Sequence, residues 1–364
     1  MVWLLCACLA VSFVLSVGVT AVLRRRAPRW GLVDRPAGHK QHDRPIPLGG
    51  GIAIVAGLVV PLLAALLTAW VFRTTWAPAW LPSLVTKHLD GIGAKTPAAL
   101  AIVIGALVVH ALGLIDDVRP LSPLVKLSVV ALVAGVLAVG FGICAMVLLG
   151  PVLAAVITVL WIVGITNAFN LMDNMDGLAG GVACIAGAIF AASALRTGQI
   201  FVPVVTCMLI GSVAGFLLFN FPPASIFMGD SGSLVVGYVL AVLTVLTTFV
   251  EPEFGARPYG MLAPIAVLAV PIYDTVSVVW LRWRSGAGIF SGDRRHFSHR
   301  LVQRGMRPRA AVLTIYLATV ATGLSATLLG HADWTDAILV AAQCLAIVLI
   351  IAILEQAPRH DPAR

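Results

Sequence analysis

The chain has 364 residues, 60% of them hydrophobic and only 11% charged, with a mean hydropathy of +1.01. So little charge cannot clothe a soluble protein of this length, and repeated apolar runs of roughly 18 to 22 residues are each long enough to cross hydrocarbon as a helix. The net charge of +8 raises nucleic acid as a partner; the placement of the charges, below, argues against it.

The first apolar run covers about 2–23, with Arg24, Arg25 and Arg26 after it. A signal peptide carries its positive charge before the apolar stretch, so this run reads as a retained span with the N-terminus outside. Further spans are expected at about 48–70, 98–115, 121–141, 143–165, 178–195, 201–219, 232–250, 259–281, 310–329 and 335–354. The expected fold is therefore an all-α integral membrane protein of about eleven (ten to eleven) transmembrane helices, one polytopic domain over 1–364. Nineteen of the 24 lysines and arginines fall in one set of alternate loops, and five (Arg73, Lys87, Lys95, Arg196, Arg257) in the other. By the positive-inside rule the first set, with the C-terminus, faces the cytoplasm. The basic excess is thus a topological signature, and no nucleic acid is expected. The six cysteines all sit in apolar runs without CxxC spacing, as small hydrophobes do.

Five polar clusters fall on that cytoplasmic side. The stretch from Pro36 to Gly51 holds His39, Lys40, His42 and Arg44 and ends in Gly49-Gly50-Gly51; glycines there allow close helix packing, and no P-loop pattern occurs. Asp116-Asp117 ends the third span, with Lys126 beyond it; adjacent carboxylates stay ionised only beside a cation. Asn167, Asn170, Asp173 and Asp176 recur every three residues between two apolar runs, so neighbouring pairs share a helix face. Their oxygens suit Mg²⁺, which takes one or two protein oxygens plus substrate phosphates. A carboxylate left unpaired at membrane depth costs roughly 3 kcal/mol, so such a cluster is not decoration. Asn220 opens a loop through Phe227 to Gly229-Asp230-Ser231-Gly232-Ser233, just before a span. Free N–H groups at a helix start favour phosphate. Gly-Asp-Ser-Gly also matches a serine-protease nucleophile motif, a reading its membrane flanks exclude. Finally, Asp293-Arg294-Arg295-His296 and His299 suit a polyanion such as pyrophosphate. Asp274, inside the ninth span, is expected to pair with a cation or line the site, and His110 reads as a satisfied interior histidine.

Taken in order from about residue 34 to 310, these clusters resemble the polyprenyl-phosphate N-acetylhexosamine-1-phosphate transferase family. The resemblance implies a polytopic enzyme, dependent on Mg²⁺ or Mn²⁺, that moves a sugar-1-phosphate from a UDP-sugar to a polyprenyl phosphate and releases UMP. It assigns Asp116 and Asp117 to the essential aspartate pair, and Asp230 with Asn170 to the metal. It places Asp176, Asn220 and Phe227 around the uridine, with Phe227 stacking on the base, and Asp173 among the substrate-binding residues. Lys126, Arg295, His296 and His299 match phosphate-handling positions. The chain departs from the family pattern twice. Asn174 follows Asp173 where a glycine is usual, and Ser298 stands where the family's His-x-His-His has a histidine. The translocase's run of three histidines is absent, which favours a UDP-HexNAc, GlcNAc foremost, over UDP-MurNAc-pentapeptide. A modified HexNAc is the alternative substrate, and a polytopic transporter the alternative class. The expected setting is the bacterial inner membrane with the site facing the cytoplasm, and a homodimer is left open.

Overall fold

The computed structural model describes residues 1–34, 45–75, 86–247, 258–286, 288, 295–330 and 333–356. His39, Lys40, His42, Arg44, Asp293 and Arg294 lie outside them. Helices dominate: α1 (Val2–Arg26), α2 (Gly50–Thr74), α3 (Leu89–Val118), α4 (Pro123–Gly135), α5 (Pro151–Met172), α6 (Leu178–Arg196), α7 (Phe201–Asn220), α8 (Asp230–Leu246), α9 (Ala263–Val267), α10 (Ala269–Arg284), α11 (Phe297–Gln303), α12 (Pro308–Ala326) and α13 (Trp334–Gln356). The one sheet among the described residues is a two-stranded antiparallel ladder, β1 (Val33–Asp34) on β2 (Ile46–Pro47).

Local chemistry sets many of the ends. Three arginines occupy the last turn of α1, where cations complement the negative end of the helix dipole. Proline stands in the first turn of α4, α5 and α12, where a missing N–H costs no helical hydrogen bond.

A helix stands at each of the eleven expected positions, but they are not eleven equal spans. Among the described residues nine helices are long and apolar enough to cross a membrane, and a tenth if Gly260–Val267 and Ala269–Arg284 are joined across their 63° bend. The eleventh, α8, has 17 residues, about 26 Å of helix, short of the hydrocarbon thickness. It lies against α2, α3 and α5, with lesser contact to α6 and α7, and every residue from Ser231 to Thr244 is buried. The expected start at 143 is also displaced. Val136–Gly140 winds as a π-helix, an irregular segment follows, and the next span begins only at Pro151.

Around this central helix, α1 packs along α7 and α2, α6 along α7, and α12 on α6. The close approach of α2 to α8 depends on two glycines. A Cβ on Gly51 would lie 2.4 Å from Gly232 N, and one on Gly232 would lie 2.8 Å from Gly51 Cα. The Gly-rich run thus serves close packing, which seats the first turn of α8 at the point where other helix ends meet.

Candidate active site

Asp116 and Asp117 end α3 and Lys126 lies in the first turn of α4, so a short connection brings acid and amine together. Lys126 Nζ donates to Asp116 Oδ2 at 2.9 Å and to Asp230 Oδ2 at 2.8 Å. Asp116 Oδ1 accepts from Leu121 N at 2.6 Å, fixing the turn between the helices. The lysine and Asp116 side chains are only 17% and 13% exposed. In so sheltered a place a charge is tolerated only when paired, and one ammonium here serves two carboxylates.

The neighbouring Asp117 does something else. Its Oδ1 accepts the N–H of Asp230 at 2.8 Å and its Oδ2 that of Ser231 at 3.2 Å. It therefore caps α8 from a different helix, placing negative charge at the positive end of the α8 dipole. Gly229, at φ +71°, leaves the cap its room; a Cβ there would meet Asp117 Oδ2 at 2.6 Å. His110 completes the seat, its Nδ1 2.9 Å from the Ser231 carbonyl, the satisfied interior partner expected of it.

The end of α5 supplies the next wall. Asn170 Nδ2 donates to Ser233 Oγ on α8 at 3.0 Å; its Oδ1 has no hydrogen bond among the described residues. Asp173, just past the helix, donates its backbone N–H to the Phe169 carbonyl at 3.1 Å, and its carboxylate has neither a hydrogen bond nor an ion pair among the described residues. Burial, with Asp230, Asp117 and Asp176 nearby, pushes its carboxyl up to about 8. Asp176 Oδ2 accepts from Ala224 N at 2.8 Å. Asn220 is a buried staple, with its Oδ1 accepting from Gly177 N at 2.9 Å and its Nδ2 donating to the Ile226 carbonyl at 3.0 Å. Phe227 is held by its backbone, its N–H on the Pro47 carbonyl at 2.9 Å and its carbonyl on Gly50 N at 3.0 Å, while its ring is half-buried.

The imidazoles enter through α11. His296 and His299 are both buried, with ring centroids 6.3 Å apart. Asp274, fully buried on α10, reaches His296 Nδ1 at 2.9 Å and accepts the Phe297 N–H at 3.0 Å, so it lines the site through His296. Ser298 Oγ donates to Asn174 Oδ1 at 2.6 Å, which ties α11 to the turn carrying Asp173. Arg295 is directed to the end of α10, where Nη1 meets the Leu281 carbonyl at 3.2 Å and also Ser285 Oγ.

Residues 99–248 match the family model of Glycosyl transferase family 4. The chain is also 34% identical over 331 residues to a Bacillus subtilis protein named as a probable undecaprenyl-phosphate N-acetylglucosaminyl 1-phosphate transferase, an overlap of 88% of this chain and 84% of that one. The chain belongs to glycosyl transferase family 4. A Mycolicibacterium smegmatis decaprenyl-phosphate N-acetylglucosaminephosphotransferase is 32% identical, covering 95% of this chain and 87% of its own. An Escherichia coli K12 undecaprenyl-phosphate alpha-N-acetylglucosaminyl 1-phosphate transferase is 26% identical, covering 81% and 76%. The part of this family 4 chain that the model matches runs from α3 into the residues after α8. It therefore contains every acid from Asp116 to Asp230 and stops short of Asp274, His296 and His299.

The donor set bears on a metal. Among the described residues no three acids, imidazoles or thiols converge as a closed cage. Asp116 and Asp230 nonetheless share the Lys126 ammonium, and Asp173, whose carboxylate has no ion pair among the described residues, lies near Asp230, Asp117 and Asp176. A crowd of oxygens short of positive charge fits a hard divalent cation that takes one or two carboxylates and completes its shell with water and phosphate.

Three connections here lay beyond sequence reasoning: Asn170 with Ser233, Asn174 with Ser298, and the division of labour between Asp116 and Asp117. The first two join residues 63 and 124 positions apart, which no local pattern announces.

Proposed function

We propose that this chain transfers N-acetylglucosamine-1-phosphate from UDP-N-acetylglucosamine to a polyprenyl phosphate. The relatives' names support the reaction class and the lipid acceptor. The observation that carries the reading is the gathering of Asp116, Asp117, Asp173 and Asp230 at the start of the buried helix α8, with Lys126 bridging Asp116 and Asp230. An oxygen of the acceptor phosphate attacks the β-phosphorus of the donor. A new P–O bond forms there, the bond from that phosphorus to the bridging oxygen breaks, and UMP departs with the electron pair. The acceptor phosphate is already largely ionised near neutral pH and needs little help from a base.

Both reactants are anions, so repulsion between them is a large part of the barrier. Asp230, with Asp116 or Asn170, would hold Mg²⁺, which neutralises the donor pyrophosphate when bound. Lys126 holds Asp116 and Asp230 in place and is the cation closest to the developing charge. His296 and His299 face the donor phosphates. Asp176 and Asn220 shape the loop beside the uridine, and the half-buried Phe227 ring offers it a stacking surface. The polyprenyl tail lies between helices in the membrane, with the site at the cytoplasmic face of a bacterial inner membrane.

The test is radiolabel transfer in membranes containing the chain, given undecaprenyl phosphate, Mg²⁺ and labelled UDP-N-acetylglucosamine. Labelled lipid and UMP are expected from the wild type, with both lost on EDTA treatment or in Asp230→Ala. Product only from another UDP-sugar would move the specificity. No product from any nucleotide sugar, in membranes that contain folded protein, would overturn the transferase reading.

A further inference from the structure

The short helix α11 carries His299 and is preceded by His296 at its N-cap, and it is too brief to hold its own place. Seven residues make less than two turns, and a helix of that length is marginal without tertiary support. Its N-terminal end is fixed by Asp274, through His296 and the Phe297 N–H. Its opposite side is fixed from the last turn of α13. Glu355 Oε2 meets Arg300 Nη2 at 3.0 Å, and its carboxylate accepts from the Tyr273 hydroxyl at 3.3 Å. The Glu355 carbonyl accepts from Arg304 Nε at 3.0 Å. Arg304 thus satisfies one of the carbonyls that the end of α13 leaves without a helical partner.

This is a costly arrangement. The Glu355 side chain is 5% exposed and that of Arg300 18%. Arg300 Nε is buried with no partner of its own, so the guanidinium is held through Nη2, by Glu355 and by Ser277 Oγ at 2.8 Å. A buried ion pair can often be replaced by apolar packing without loss of stability, so stability alone does not explain this one. What it does specify is where Arg300 sits, one residue beyond His299 on the same turn.

We propose that Glu355 is a positioning residue for His296 and His299: it sets the place of α11 from behind, through Arg300, as Asp274 sets it from the front. The inference rests on the transferase reading for its kinetic test, since the imidazoles there face the donor phosphates. A contact to the donor phosphates that is made alike in the ground and transition states raises KM when it is misplaced and leaves kcat unchanged.

The experiment uses the full-length protein in membranes and in detergent. In Glu355→Gln the KM for the nucleotide sugar is expected to rise about 10-fold, while kcat per folded molecule and the KM for polyprenyl phosphate stay near wild type. Hydrogen exchange in the peptide spanning 296–303 should quicken, and that around Asp116 and Lys126 should not. In a His299→Ala background, Glu355→Gln should add little, because its effect travels through the same helix. A lower kcat at unchanged KM would mark a merely structural role and overturn the proposal, as would unchanged exchange in α11. If Glu355→Gln is not recovered folded, Arg300→Lys keeps the charge and removes the fork; an unchanged KM there overturns it equally. If the wild type transfers no sugar phosphate, the functional reading fails, and the exchange comparison still decides whether Glu355 holds α11.

Discussion

Ser298 donates a 2.6 Å hydrogen bond to Asn174 Oδ1, 124 residues before it in the chain. Asn174 Nδ2 is committed to the Leu171 carbonyl at 2.8 Å, which turns Oδ1 toward α11. Ser298 is fully buried. The Asn174 amide and the Ser298 hydroxyl are two halves of one contact. It joins the turn bearing Asp173 to the helix bearing the imidazoles.

Ser298→Ala is therefore expected to leave Asn174 Oδ1 without its donor, at a cost of about 1–3 kcal/mol. The check is the melting temperature in detergent, alone and combined with Asn174→Gly. The two losses should not add, because each removes the same bond.

Lys126→Ala leaves two sheltered carboxylates without their shared cation. Transfer should fall by about 100- to 1,000-fold, the scale seen when one group that stabilises developing charge is removed. Lys126→Arg is expected to recover little, since a planar fork cannot take the place of a point charge set between Asp116 Oδ2 and Asp230 Oδ2. Transfer rates in membranes with matched protein levels decide this.

Asp116 and Asp117 should separate by readout although they are neighbours. Asp117→Ala removes the cap of α8 and is expected to lower stability by about 1–2 kcal/mol as well as abolishing transfer. Asp116→Ala should abolish transfer with a smaller change in melting temperature. Equal thermal losses in the two variants would contradict the division of labour described above.

The Asp173 carboxyl stands at about 8 in the folded chain against 3.8 for an ordinary aspartate. Between those values the folded form keeps a proton that the unfolded chain has released, so stability should fall as pH rises through that window. Melting temperatures taken in EDTA at about pH 6 and about pH 9 are expected to drop for the wild type and to drop less for Asp173→Asn. Added Mg²⁺ should flatten the wild-type slope by favouring the ionised form.

Much of this architecture was legible because membrane spans announce themselves by length and composition. Where it was not, the reason is physical. Residues 143–150 are as apolar as the helices on either side, so nothing but Gly150 and Pro151 marked the true start of α5. Pro264 and Pro271 were visible, yet the sequence could not say that the chain would bend near Leu268 rather than run through. Asp116-Asp117 reads as one acidic pair because spacing reveals proximity, not direction; the helix turns one side chain to Lys126 and the other to α8. Glu355 looks like an ordinary helix end until Arg300 and Arg304 are brought to it from about fifty residues away.

The helix carrying Asp230 is short and surrounded by α2, α3 and α5, all of which precede it in the chain. Its seat is therefore built during synthesis before it arrives, whereas α11 is locked only when α13, the last of the described helices, brings Glu355 into place. A ribosome-bound intermediate would already hold the carboxylates but not the fixed imidazoles. The carboxylates and the imidazoles are thus held by different stretches of the chain, the first by helices that precede Asp230 and the second by a contact with a helix that follows His299.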